Sequence, residues 1–123
     1  MSEFDVKHHP TELRYLSAEK LLRVEFDDSR VFDLPAEYLR VESPSAEVQG
    51  HGPGQKQTVA GRRHVGIMAI EPVGSYAVRL KFDDLHDTGL YSWDYLYKLG
   101  EDQETIWGEY LASLEAKGLK REP

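Results

Sequence analysis

A small α+β domain, an antiparallel β-sheet built from hairpins with two C-terminal helices packed on it, is the fold class the sequence predicts. Two observations lead there. From Glu12 to Phe82 apolar and polar residues alternate in short runs separated by turn residues, and after Ser92 the apolar spacing changes to that of a helix. Strand runs followed by helix runs place the helices on one side of an antiparallel sheet.

The elements follow in order. Residues 1–10, MSEFDVKHHP, mix charge, histidine and proline without periodicity and are expected to form a flexible tail, leaving 11–123 as a single domain. Leu13 and Tyr15, then Leu22, Val24 and Phe26, alternate with polar residues such as Arg23 and Glu25, as half-buried strands do. Asp27-Asp28-Ser29 is turn chemistry, so Val31–Leu34 returns as a hairpin partner. Pro35 opens a short helical turn, PAEYLR, with Tyr38 and Leu39 toward the core. A second hairpin joins 65-VGIMAIEP-72 to 75-SYAVRLKF-82 through a Pro-Val-Gly turn. Residues 88–91 read as a further strand stub, and the two hairpins and this stub are expected to form one sheet. Ser92 suits the N-cap of a helix that Gly100 stops. Asp102 then starts a second helix, which Gly118 ends, and Trp93, Leu96, Trp107 and Leu111 are the expected contacts of the helix pair with the sheet.

Composition narrows the function classes. The formal charge of -7, from 15 Lys+Arg against 22 Asp+Glu, repels nucleic-acid phosphates and anionic membrane surfaces, so neither is an expected partner. No apolar run approaches the roughly 20 residues of a membrane helix, and the polar start lacks the apolar segment of a secretory signal, so the cytoplasm is the expected location. With no cysteine there are no disulfides and no thiolate ligands, and any metal would need histidine and carboxylate. Phosphate-loop, HExxH, GxSxG and calcium-loop motifs are all missing, which counts against an enzyme.

The segment 42-ESPSAEVQGHGPGQKQTVAGRRH-64 interrupts the alternation. Between residues 49 and 63 its only apolar side chains beyond proline and glycine are Val59 and Ala60, too few to offset the entropy of ordering it, so a long mobile loop is expected at about 42–64. Its exit carries Arg62, Arg63 and His64 on an acidic molecule, a candidate surface for a protein partner. His86 sits among Asp83, Asp84 and Asp87. His86, Asp83 and Asp87, with His51 or Glu47, form a candidate weak iron or zinc site, although a polar surface turn explains the same residues.

The runs 39-LRVESPSAEVQGHGPG-54 and 66-GIMAIEPVGSYAVRLKFDDLHDTGLYSWDYLYKLG-100, with the closing Trp and Tyr-Leu helix, resemble stand-alone bacterial members of the gamma-butyrobetaine hydroxylase-like N-terminal domain family, also called domain of unknown function 971. The similarity covers about Thr11 to Gly118. Relatives carry this module ahead of an iron(II)/2-oxoglutarate hydroxylase domain or on scaffold ATPases of iron–sulfur cluster assembly. In the hydroxylase branch a Cys-x-Cys-x-x-Cys cluster and a distant histidine hold a structural zinc ion, and the resemblance lays that set over Ser43, Ser45, Val48 and His86. Hydroxyls and an alkyl group do not replace thiolates, so no structural zinc and no cofactor are expected, with a hydrogen bond from His86 across to the two serines as the expected substitute.

Three function classes stand from the sequence. The resemblance implies a non-catalytic binding or accessory module, acting on an unknown protein partner, possibly an iron–sulfur scaffold ATPase or a related assembly factor. A metal-binding domain using His86 and nearby carboxylates is the second. A small enzyme with an unrecognised site is the third.

Overall fold

The computed structural model describes residues 7–123, and its elements run β1 (Pro10–Leu16), β2 (Leu21–Phe26), β3 (Val31–Pro35), α1 (Ala36–Val41), α2 (Ala46–Gln49), β4 (Ile67–Val73), β5 (Ala77–Phe82), β6 (Leu90–Ser92), α3 (Trp93–Glu101) and α4 (Gln103–Ala116). The fold is α+β with two C-terminal helices. The strands divide into two antiparallel three-stranded sheets, β1-β2-β3 and β4-β5-β6, rather than the single sheet expected. Each sheet has one apolar face, and both faces enter a common core: Leu22, Val24 and Leu34 from the first meet Leu80, Phe82 and Tyr91 from the second, together with Leu96 and Leu99 of α3. Two small sheets sharing one core shield both apolar faces, which a single flat sheet would leave to the helices alone.

Two expectations about the ends of elements change. The expected tail begins to be tied down before Pro10: His8 meets Asp94 through its backbone N–H at 3.0 Å and its Nδ1 at 2.9 Å, and its ring stacks on Tyr97 with centroids 3.7 Å apart. The rest of that tail, residues 1–6, lies outside the described residues. Gly100 lies inside α3 instead of ending it, and its lack of a side chain admits the Phe32 ring, which packs where a β-carbon would stand.

Ser92 caps α3 as the sequence implies, its hydroxyl accepting the Tyr95 N–H at 3.1 Å. Helix α4 buries a narrower stripe than expected. Tyr110 and Leu114 are buried and Trp107 is partly buried, but Leu111 is 39% exposed. A helix lying across the edge of a core covers only its i, i+3 and i+7 row, and Leu111 falls outside the row set by Trp107, Tyr110 and Leu114.

Candidate functional site

Two bends bring the candidate site together. After α1 the backbone closes on itself, Glu42 N–H to the Tyr38 carbonyl at 3.1 Å and Ser43 N–H to that of Arg40 at 3.3 Å, and Ser43-Pro44-Ser45 then leads into α2. Opposite it, β5 turns at Asp83-Asp84-Leu85. Leu85 N–H reaches the Phe82 carbonyl and Phe82 N–H reaches that of His86, both at 3.0 Å, the pattern of a three-residue hairpin loop whose last residue is left-handed. Leu85 is that residue, with φ 73°.

Between the bends lies a buried polar node. Ser43 is wholly shielded, and Ser45 and His86 are nearly so. His86 Nε2 stands 2.9 Å from Ser43 Oγ and 3.4 Å from Ser45 Oγ, and the two hydroxyls are 3.2 Å apart. On the other side of the ring Nδ1 faces the Glu47 carboxylate at 3.4 Å. With its Nδ1–H directed at Glu47, the neutral ring leaves Nε2 to accept from the Ser43 hydroxyl. Burial, reinforced by the nearby Arg40 guanidinium, pushes the His86 pKa below its usual value and keeps the ring neutral.

The node is braced from below by Asp84. Its Oδ1 accepts the His86 backbone N–H at 3.1 Å, and its Oδ2 accepts Nε of Arg40 at 2.8 Å and Nε of Arg62 at 2.6 Å. Burial alone would raise the Asp84 pKa. The His86 N–H and the two guanidinium groups outweigh it and hold the carboxyl below the usual range. Gly89 completes the packing: a β-carbon there would stand 2.5 Å from Ser43 Oγ.

Ser43, Ser45, Val48 and His86 thus meet in one buried region, Val48 contributing only an alkyl group that is 2% exposed. The donor set is two hydroxyls and one neutral imidazole beside a buried guanidinium whose Nη1 has no partner. These residues do not fit a structural zinc ion, which needs anionic or imidazole ligands on four sides and is repelled by a fixed cation. The weaker metal set does not assemble either. Among the described residues no three His, Cys, Asp or Glu side chains are grouped to hold a metal ion. Asp83, Asp87 and His51 are exposed while His86 is buried, so those four candidates do not converge.

Two of the three side chains of the basic cluster already have partners within the chain. Arg62 is committed to Asp84 and to the Ala60 carbonyl, and Arg63 pairs with Glu122 at 2.6 Å; only His64 presents a free, exposed side chain. The loop behind it is anchored from residue 57 onward. Gln57 N–H bonds to Val48, Gly61 N–H to Lys120 and Arg63 N–H to Arg121, and Tyr110 reaches the Val59 carbonyl at 2.6 Å. The expected mobility of about 42–64 was argued from apolar surface alone, and from residue 57 onward these polar ties tether the segment to the fold.

Sequence reasoning also missed Arg40, Gly89 and the cleft against α4. That cleft has a volume of about 650 Å³ and is lined by Glu37, Tyr38, Glu104, Trp107 and Arg121 among others. Arg121 grips the buried Glu37 carboxylate at 2.6 and 2.8 Å and lies over the Trp107 ring. The available signals were, for Arg40, a charge in the short helical run PAEYLR beside Tyr38 and Leu39 and, for Gly89, a glycine in an Asp-Thr-Gly run.

The chain is thus a small α+β domain with a buried, hydrogen-bonded Ser43–Ser45–His86 node. Residues 13–97 match the family model described as gamma-butyrobetaine hydroxylase-like, N-terminal, and the chain belongs to that family. Two solution structures of proteins are similar to it: one at 46% identity and a TM-score of 0.83, over 100% of this chain and 92% of that one, the other at 45% and 0.82, over 94% and 91%. A crystal structure from Acidithiobacillus ferrooxidans, described as a protein of unknown function in the domain of unknown function 971 family, is similar at 38% identity and a TM-score of 0.64, over 75% of this chain and 92% of that one. No curated protein matches the chain.

Proposed function

We propose that the domain is a non-catalytic binding module that docks a partner protein, with the Ser43–Ser45–His86 node serving as a rigid support. The observation that carries this reading is the closure of the node. His86, the titratable group of the node, is 7% exposed and has both ring nitrogens engaged by the chain's own side chains. A general base or a metal ligand needs one position open to its reactant, and this ring has none. The fused relatives described for the resembling family suggest metal-cofactor or iron–sulfur metabolism as the setting. The cytoplasm is the proposed compartment, which suits a chain without cysteine. Among the described residues no helix is long and apolar enough to cross a membrane.

The test pairs capture with reconstitution. The untagged protein is immobilised, an enriched cytoplasmic protein is purified, and the two are titrated together. The expected result is a stoichiometric complex with Kd of about 1 μM or tighter. A catalytic turnover by the isolated domain that Ser43→Ala or His86→Gln abolishes would overturn the reading.

A further inference from the structure

Three non-glycine residues have a left-handed backbone: Lys20 at φ 53°, Ser29 at φ 71° and Leu85 at φ 73°. Lys20 and Ser29 are polar residues in surface turns, where such a conformation is unremarkable. Leu85 is different. It is 79% exposed, more than any other large hydrophobic among the described residues, and it occupies the turn position that glycine or asparagine fills without strain. The side chain therefore contributes little to the core and strains the turn that carries it.

The same turn is held with unusual firmness for a loop tip. Its two backbone bonds close the hairpin, Asp84 ties its base to Arg40 and Arg62, and His86 anchors its exit against Ser43 and Glu47. A rigid mount under an exposed apolar side chain lowers the entropy cost of binding through it. The exposed charges flanking Leu85 on the turn itself are acidic. Asp83, Asp87 and Glu47 are exposed, whereas the guanidinium of Arg62 is already matched by Asp84.

We infer that Leu85 is the apolar anchor of a docking surface, and that the partner presents an apolar pocket rimmed by Lys and Arg side chains. The inference rests on the binding-module reading and deepens it by naming the contact and the chemistry of the other side. The central leucine supplies the desolvated contact, and the acidic rim of Asp83, Asp87 and Glu47 supplies orientation and attraction.

A photocrosslinking amino acid is placed at position 85 and, in a second protein, at position 115 on α4, and each is irradiated in cytoplasmic extract. The protein joined through position 85 is purified and titrated against wild type, Leu85→Gly and Leu85→Asn. Both substitutions suit the left-handed turn, so both are expected to fold and to melt no lower than wild type. Binding should weaken about thirtyfold or more, the size of a hot-spot truncation. Asp83→Asn with Asp87→Asn should weaken it further and flatten its salt dependence. Equal affinity of wild type and Leu85→Gly, or a partner joined through position 115 and not through 85, overturns the inference and leaves the binding-module reading standing. A domain that joins no protein from either position overturns both.

Discussion

The core shared by the two sheets and the small cluster beneath α4 hold the chain in different ways. Leu22, Val24, Leu34, Leu80 and Phe82 come from period-two strands and are almost entirely shielded, so the main core stands on apolar burial. Under α4 the buried apolar set is only Val41, Tyr110 and Leu114, with Val59, Ala60 and Trp107 partly covered against it. Polar ties make up the difference there: Tyr110 to Val59, Thr58 to Ser113, and Lys56 to the buried Glu42 carboxylate. A strand core can be built from its own alternation, but a glycine-rich segment is held by whatever donors and acceptors its neighbours offer.

The largest expected effect tests the first half of that comparison. Leu80→Ala removes a fully buried side chain from the centre of the shared core and should cost about 2–5 kcal/mol in denaturant unfolding. Leu111→Ala, on the exposed side of α4, should stay within about 0.5 kcal/mol. Comparable losses for the two would mean that α4 buries a face not seen here.

The strands, turns, α1, and both C-terminal helices were legible because each has a local signal. Leu22–Val24–Phe26 alternates, Asp27-Asp28-Ser29 turns, and Ser92 caps. The division into two sheets was not legible, since alternation says which face is buried and not which strand edges pair. Ser43, Ser45 and His86 came together through resemblance, and no spacing in the chain would have joined residues 43 and 86. Arg40 and Glu37 were hidden for another reason. Charged residues in a helix that faces the core read as surface positions, and their burial depends on distant partners, Asp84 and Arg121.

The node between the two regions offers the next effect. Gly89→Ala puts a methyl group 2.5 Å from Ser43 Oγ and should cost about 1–3 kcal/mol through overpacking, while shifting the His86 ring resonances in NMR spectra. Unchanged His86 resonances would show that the node gives way without strain. Acid provides a second reading of the same site. The folded-state pKa of His86 lies below that of the unfolded chain, so the unfolded state binds the proton first. Stability should be full above about pH 6.5 and decline as the pH falls below it, by no more than about 1.4 kcal/mol per unit. Glu42 works in the opposite sense: burial raises its pKa despite Lys56, so its protonation favours the folded state at lower pH. The contribution of His86 is therefore the difference between the wild-type slope and that of His86→Gln. Identical slopes would place the ring in contact with solvent.

The smallest expected effect belongs to the cluster beneath α4, and it separates anchorage from stability. Tyr110→Phe keeps the buried ring and removes only the hydroxyl that donates to the Val59 carbonyl at 2.6 Å. The global cost should be about 1 kcal/mol, the usual net worth of one hydrogen bond. The local consequence should be larger than that figure suggests. With Val59 and Ala60 only partly covered, the segment around residues 57–61 relies on a few polar bonds, and each one lost lowers the free energy of local opening. Amide hydrogen exchange of Gln57 and Gly61, whose N–H groups bond to Val48 and Lys120, should therefore accelerate in Tyr110→Phe while exchange in β2 and β5 stays close to wild type. Equal acceleration in the strands would show that the loop and the main core open as one unit, and the contrast between the two regions would fail.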